Sequence, residues 1–355
     1  MPLGGLRSGP VIAIVSAGLF GASTPLAKLM LGAGVDPWLL AGLLYLGSGI
    51  GLGALHLARR LSGGAPAEAP LRRADLPWLG LVVLAGGVLG PLLLMVGLSS
   101  TPASSAALLL NVEGLATMGI AWVVLKEHAD RRLLLGAGAI LAGAVILSWQ
   151  GGPAPVGWGA VAIVAACVAW GVDNNLTRKL SSADPVQIAL IKGVAAGAVN
   201  LSLAVLHGAS VPALPALVAA GVLGFLGYGV SLALFVLALR HLGSARTGAY
   251  FSTAPFIGAA IAVGLFGEPL TVQVAAAAVL MGIGLYLHLA ERHDHEHVHE
   301  AMEHAHRHVH DEHHRHEHGP GDPPGEPHTH AHRHQPMVHR HPHYPDLHHR
   351  HRHAR

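Results

Sequence analysis

Charge is what this 355-residue chain has least of: Asp, Glu, Lys and Arg together make up 12% of it, against about a quarter in a soluble domain. With 52% of its residues hydrophobic, an ordinary water-soluble globule is excluded, and the composition reads as an all-α integral membrane protein. Cysteine is almost missing as well. The single Cys167 sits inside an apolar run, so no disulfide framework exists and a packing role is expected. The usual motifs of catalysis are absent: there is no phosphate-cradling GxxxxGK[ST], no GxSxG and no HExxH. An enzyme is therefore not expected, nor a required cofactor, nor a nucleic-acid partner.

What is abundant is apolar sequence in pieces of bilayer-spanning length. Such runs fall near 11–31, 38–57, 77–98, 102–125, 133–149, 157–177, 186–206, 215–238, 247–266 and 270–290, which predicts ten transmembrane helices. The first run follows Arg7 and could imitate a signal peptide, but with nine more behind it we read it as a retained span. Links such as Gly32-Ala33-Gly34, Gly151-Gly152-Pro153 and Gly267-Glu268-Pro269 carry helix-ending chemistry. Orientation follows from the basic residues. Arg7, Arg59, Arg60, Arg72, Arg73, Lys126, Arg131, Arg132, Arg178, Lys179, Arg240 and Arg246 fall at the amino end or in alternate loops, which marks the cytoplasmic side. The opposite loops, 99–101, 150–156, 207–214 and 267–269, hold no Lys or Arg, and Lys28 near an outer helix end is expected to snorkel. Ten spans place both termini in the cytoplasm of a multi-pass inner-membrane protein whose main partner is the lipid bilayer.

The spans repeat. FGASTPLAK (20–28) aligns with WGVDNNLTR (170–178), Asp36-Pro37 with Asp184-Pro185, and VLKE (124–127) with LFGE (265–268), dividing the membrane part into residues 1–150 and 151–290. Five helices in each half reverse its direction in the membrane, giving two inverted five-helix repeats. The charges follow: at a shift of 141, Arg131 and Arg132 match Val272 and Gln273, while Ser99 and Ser105 match Arg240 and Arg246.

These residues resemble the drug/metabolite transporter superfamily, specifically the EamA-type permeases. The resemblance rests on the ten spans, the two halves, Thr253-Ala254-Pro255-Phe256, and a Glu closing the fourth helix of each repeat, in Leu125-Lys126-Glu127 and Phe266-Gly267-Glu268. It covers 11–290 and implies a secondary carrier of small metabolites, with a substrate cavity between the halves lined in part by the fourth and ninth helices. Where the second repeat has Ala254-Pro255, the first has Glu113-Gly114.

Glu113 is the one ionisable residue of the 23 from Ala103 to Leu125. A charge near the bilayer centre costs roughly 2.5–3.5 kcal/mol on insertion scales, so it persists only facing protein or water. That makes Glu113 a candidate for the transport path, with Thr117 on its face and Asn111 about 200° away, gripping another helix. The competing reading keeps Glu113 protonated and hydrogen-bonded to a neighbouring helix. In the sixth helix, Asp173 and Asn174 are too polar to face lipid. Lys192, at a similar depth in the seventh, is placed to pair with Asp173, or else to snorkel. Ser252, Thr253 and Pro255 interrupt the ninth helix opposite Asn111 to Gly114, and Tyr228 with Ser231 adds hydroxyls from the eighth.

Beyond residue 290 the composition changes. The last 65 residues hold 23 of the 28 histidines, interleaved with 11 acidic and 8 basic residues, and cannot build a core. A disordered, His-rich cytoplasmic tail at 291–355 is expected, with nickel, zinc, cobalt or copper held by His293, His295, His297, His299, His304, His306, His308, His310, His313, His314, His316 and His318. The spans themselves have histidine only at their ends, as at His56 and His288, so a His-lined pore is not supported. The sequence thus points to a secondary active transporter of a small metabolite, an exporter or a proton-coupled permease, with a metal-binding tail. Two rivals remain: a divalent transition-metal transporter fed by the tail, and a membrane-tethered metal buffer or sensor. A homodimer is an open arrangement.

Overall fold

The computed structural model describes residues 5–62, 71, 73–125, 131–149, 157–177, 180, 184–235, 237–238, 247, 250–289, 294–299, 302–308, 328–334 and 337–342. Ten apolar helical spans appear where hydropathy placed them: α1 Gly5–Gly32, α2 Pro37–Leu61, α3 Arg73–Ser100, α4 Ala103–Val124, α5 Arg131–Ser148, α6 Trp158–Thr177, α7 Pro185–Leu206, α8 Leu214–Phe235, α9 Ala254–Phe266 and α10 Val272–Leu289. Seven are long and apolar enough to cross a bilayer alone, and α5, α9 and α10 hold shorter apolar stretches. The burial pattern is that of a membrane protein turned toward lipid. Val123, Leu141, Val161 and Val222 lie exposed on the outside, while Ser16, Ser23, Thr24, Ser48, Asp173 and Asn200 are buried within the bundle.

Helices pair across the midpoint of the chain. α2 packs on α7, α5 on α10, α1 on α8 and α9, and α6 on α3 and α4. The α2–α7 contact brings backbones together, since a Cβ on Gly193 would lie 2.7 Å from the Gly49 nitrogen and 2.9 Å from the Tyr45 carbonyl oxygen. Small residues allow that approach in a bilayer, where association rests on close packing. α3 and α8 each contain a π-helical turn, at Val83–Leu89 and Phe225–Val230, and the 141-residue repeat shift superposes the two. Such turns push one residue out of register and free a carbonyl for another partner.

The Lys28 ammonium donates to the Leu98 and Ser99 carbonyl oxygens at 2.5 and 3.1 Å, capping the end of α3. In the tail, the described residues form four short strands, β1 Asp294–His299, β2 Met302–His308, β3 His328–His334 and β4 Met337–Pro342. They form two antiparallel pairs, β1 with β4 and β2 with β3. The alternation of histidine with other residues is itself a period-two pattern that strands accept, although a lone two-stranded ladder is marginal in water. Lys126, Glu127, Arg178, Lys179, Arg240 and Arg246, with the turn at 151–153, lie outside the described residues.

Candidate transport site

The centre of α4 is not continuous helix. Its first segment, Ala103–Leu109, ends in a tight turn at Leu110 and Asn111, and a second begins at Val112 and runs to Leu125 with Glu113 in its first turn. Through the turn the backbone bonds run three residues back, from the Asn111 amide to the Leu108 carbonyl at 3.1 Å and from the Glu113 amide to Leu110 at 3.0 Å. The Asn111 amide group also donates to the Leu108 oxygen at 2.8 Å, and the Cys167 thiol covers the Leu109 oxygen at 3.7 Å. Asn111 therefore caps the break in its own helix first, and its reach to α10 is a 3.9 Å contact with the Met281 sulfur.

The ninth span breaks at the matching place. Its helix ends at Phe251, Ser252 and Thr253 form a turn, and α9 starts at Ala254 with Pro255 in the first turn. Pro255 thus opens a new helix rather than kinking an old one, a position where its missing N–H costs nothing. Thr253 faces outward and its hydroxyl donates to the Tyr250 carbonyl at 2.6 Å. The repeat shift sets Ala254 on Glu113, so two spans are interrupted at corresponding points and only one of them puts a carboxylate there.

Around Glu113 the partners come from α6. The Asn174 amide nitrogen donates to Glu113 Oε1 at 3.0 Å and to the Thr117 hydroxyl at 3.1 Å, while that hydroxyl donates to the Glu113 carbonyl oxygen at 2.9 Å. Asn175 ties the same helices with a 3.0 Å bond to the Thr117 carbonyl. Gly171 is what lets α6 lie so close, because a Cβ there would stand 2.9 Å from the Thr117 nitrogen. Glu113 and Thr117 are partly exposed and Asn174 is exposed. Among the described residues the neighbour that meets the Glu113 carboxylate is an amide, not a cation.

One helical position earlier, Asp173 is buried and pairs with Lys192 of α7. Its other oxygen accepts from the Thr177 hydroxyl at 3.2 Å. The pair rests on the π-turn of α3, where a Cβ on Gly86 would fall 2.0 Å from Asp173 Oδ2. That turn exposes the Gly86 carbonyl, which accepts from the Tyr45 hydroxyl at 2.7 Å and the Trp170 indole at 3.0 Å. Asn200 donates to the next carbonyl, Gly87, at 2.9 Å. Lys192 is consequently a partner and not a snorkelling side chain, and the two charges cancel.

Tyr228 sits in the π-turn of α8, its ring 5.5 Å from Tyr45 and 5.9 Å from Phe20. Phe20 continues the row to Phe251 at 5.3 Å, next to the α9 break. Ser231 stands apart, in a reciprocal hydroxyl–carbonyl pair with Ser16 at 2.7 and 2.9 Å, which is a packing contact. Sequence reasoning passed over Tyr45 and Gly86. The Gly86-Gly87 doublet in a span was the available signal. Among the described residues no three His, Cys, Asp or Glu side chains come together to hold a metal. His293, His310, His313, His314, His316 and His318 lie outside those residues, while His295, His297, His299, His304, His306 and His308 lie on β1 and β2.

A ten-span helical bundle with two spans broken in register is the architecture of a membrane carrier. The comparisons agree: the EamA-like transporter family matches residues 7–149 and again residues 157–290, and the chain belongs to that family. An uncharacterised transporter of Methanothermobacter thermautotrophicus is 28% identical over 285 residues, covering 76% of this chain and 82% of that protein. YedA of Escherichia coli K12, an uncharacterised inner-membrane transporter, is 26% identical over 245 residues, covering 67% and 78%. A solved crystal structure shares the fold with a TM-score of 0.58 at 22% identity, over 79% of this chain and 97% of that one.

Proposed function

We propose that this membrane transporter is a proton-coupled secondary carrier of a small solute across the inner membrane, both termini in the cytoplasm, exposing a site at Glu113 alternately to the two sides. Residues 1–150 and 151–290 are its two inverted halves. The observation that carries the reading is the matched interruption of α4 and α9 with Glu113 in the first turn after the break. Broken spans in corresponding positions are the usual mark of a midplane site, because irregular backbone at that depth persists only where it lines a cavity or is buried in protein. Glu113 takes up or releases a proton as the site changes sides, Asn174 and Thr117 orient its carboxyl, and the Asp173–Lys192 pair adds polarity without net charge. The row of Phe20, Tyr45, Tyr228 and Phe251 offers apolar faces to the body of the solute.

The tail is proposed to bind transition-metal ions in the cytoplasm. Its support is composition: 23 of the 28 histidines fall in the last 65 residues, interleaved with 11 acidic ones. The test of transport is flux in proteoliposomes carrying an internal pH dye, challenged with a panel of solutes. Solute-dependent proton movement is expected with at least one class. Its absence across amine, amino-acid, sugar and divalent-metal classes, from protein shown to be folded, would overturn the carrier reading and favour a metal buffer.

A further inference from the structure

The end of the bundle expected to face outward holds a contact that neither the fold nor the site at Glu113 requires. α9 ends at Gly267, whose left-handed φ of +61° turns the chain back over the bundle and delivers Glu268 to the start of α4. Its carboxylate takes the first two unsatisfied N–H groups of that helix, Ala103 at 2.7 Å and Ser104 at 3.0 Å, and accepts the Ser104 hydroxyl too. A carboxylate at a helix start is favoured twice over, by the orphan donors and by the helix dipole. Here it comes from 165 residues away, so it is no local cap. The segment so held, Ala103–Leu109, is buried along its whole length and ends at the hinge beside Glu113.

Resting on the carrier reading, we infer that Glu268 is a positioning residue of the transport cycle: it latches the outer segment of α4 to the α9–α10 connection, and must release it before the Glu113 site opens outward. The segment is a short rigid piece with a turn at its inner end and the latch at its outer end. When the carboxylate lets go, Ala103 and Ser104 are returned to water and the segment is free to swing about Leu110 and Asn111. The contact joins the connection after α9 to α4, so it closes one side of the molecule and leaves the other unconstrained.

The test needs no solute. In the full-length chain with Cys167 replaced by Ser, which keeps a donor for the Leu109 carbonyl, Ser105→Cys places a thiol one residue below the latch, at a position that is 8% exposed. A membrane-impermeant maleimide is applied to intact cells and the labelling rate measured. Glu268→Gln, which keeps shape but can accept from only one of the two amides, should speed labelling by about tenfold, the scale of one charge-assisted hydrogen bond. Ser104→Ala, which removes the hydroxyl arm alone and should fold normally, is expected to speed it less, in the same direction. Ser16→Cys, buried in α1, reports general loosening and should stay unreactive. Unchanged labelling at Ser105→Cys in both variants, or equal acceleration at Ser16→Cys, would overturn the latch. Either result leaves the Glu113 reading to its own flux assay, which fails or survives separately.

Discussion

Neutralising Asp173 and Lys192 one at a time should harm the protein, and neutralising both should largely restore it. Asp173→Asn leaves an ammonium without its counter-ion beneath α6, and Lys192→Met leaves a carboxylate pressed on Gly86, with the Thr177 hydroxyl at 3.2 Å as its remaining bond. Removing one partner of a buried pair costs about 3–5 kcal/mol, whereas replacing both by neutral groups of similar volume is often near neutral. The Asp173 side chain is 6% exposed and that of Lys192 18%, so solvent offers little screening. At about 2 °C per kcal/mol for a body of this size, each single variant should melt roughly 6–10 °C below wild type. The double variant should recover most of that loss. Thermal unfolding of the four purified proteins in one detergent measures the cycle. Single variants as stable as wild type, or a double variant no better than the worse single, would refute the pair as a structural unit and return Lys192 to the interface.

Gly86→Ala should be strongly destabilising, because its Cβ would enter the Asp173 carboxylate at 2.0 Å, whereas Gly80→Ala in the same helix meets nothing within 4 Å and should be silent. Thermal unfolding separates them. Reporter fusions after Gln150 or Ala209 should read the periplasm and those after Ala65 or Glu291 the cytoplasm; a periplasmic signal at Glu291 would mean an odd number of spans. Deleting residues 291–355 should leave an inserted, monodisperse helical protein that has lost metal capacity. Calorimetry on the isolated tail at pH 7.5 should show nickel or zinc uptake, and none would remove the tail from metal chemistry.

The spans were legible because lipid demands one property of every residue facing it, and a run such as 77–98 satisfies that demand along its whole length. The Asp173–Lys192 pair was legible for a related reason: two opposite charges at equal depth on consecutive helices have little choice of partner. The break in α4 was not. Asn111-Val112-Glu113 carries neither proline nor glycine before the turn, and what stabilises it, a Cys167 thiol 58 residues away and an amide folded onto its own helix, is tertiary. The matching break in α9 announced itself through Ser252, Thr253 and Pro255, but as a kink. Glu268 stood out as part of a motif while its partner at the start of α4 could not be read, since the contact depends on how Gly267 turns the chain. Nothing in the sequence marked Tyr45, because the carbonyl that its hydroxyl needs comes from the π-turn of α3.

Glu113 is the group proposed to link proton and solute. Glu113→Gln keeps the size of the side chain and its hydrogen bond with Asn174 and fixes the neutral form, so the protein should fold as before. Solute flux in proteoliposomes under an imposed pH gradient is the direct measurement. Uphill accumulation by the Gln variant should vanish while downhill exchange persists. Accumulation equal to wild type would contradict the account, take Glu113 out of the mechanism and leave it a hydrogen-bonding residue between α4 and α6.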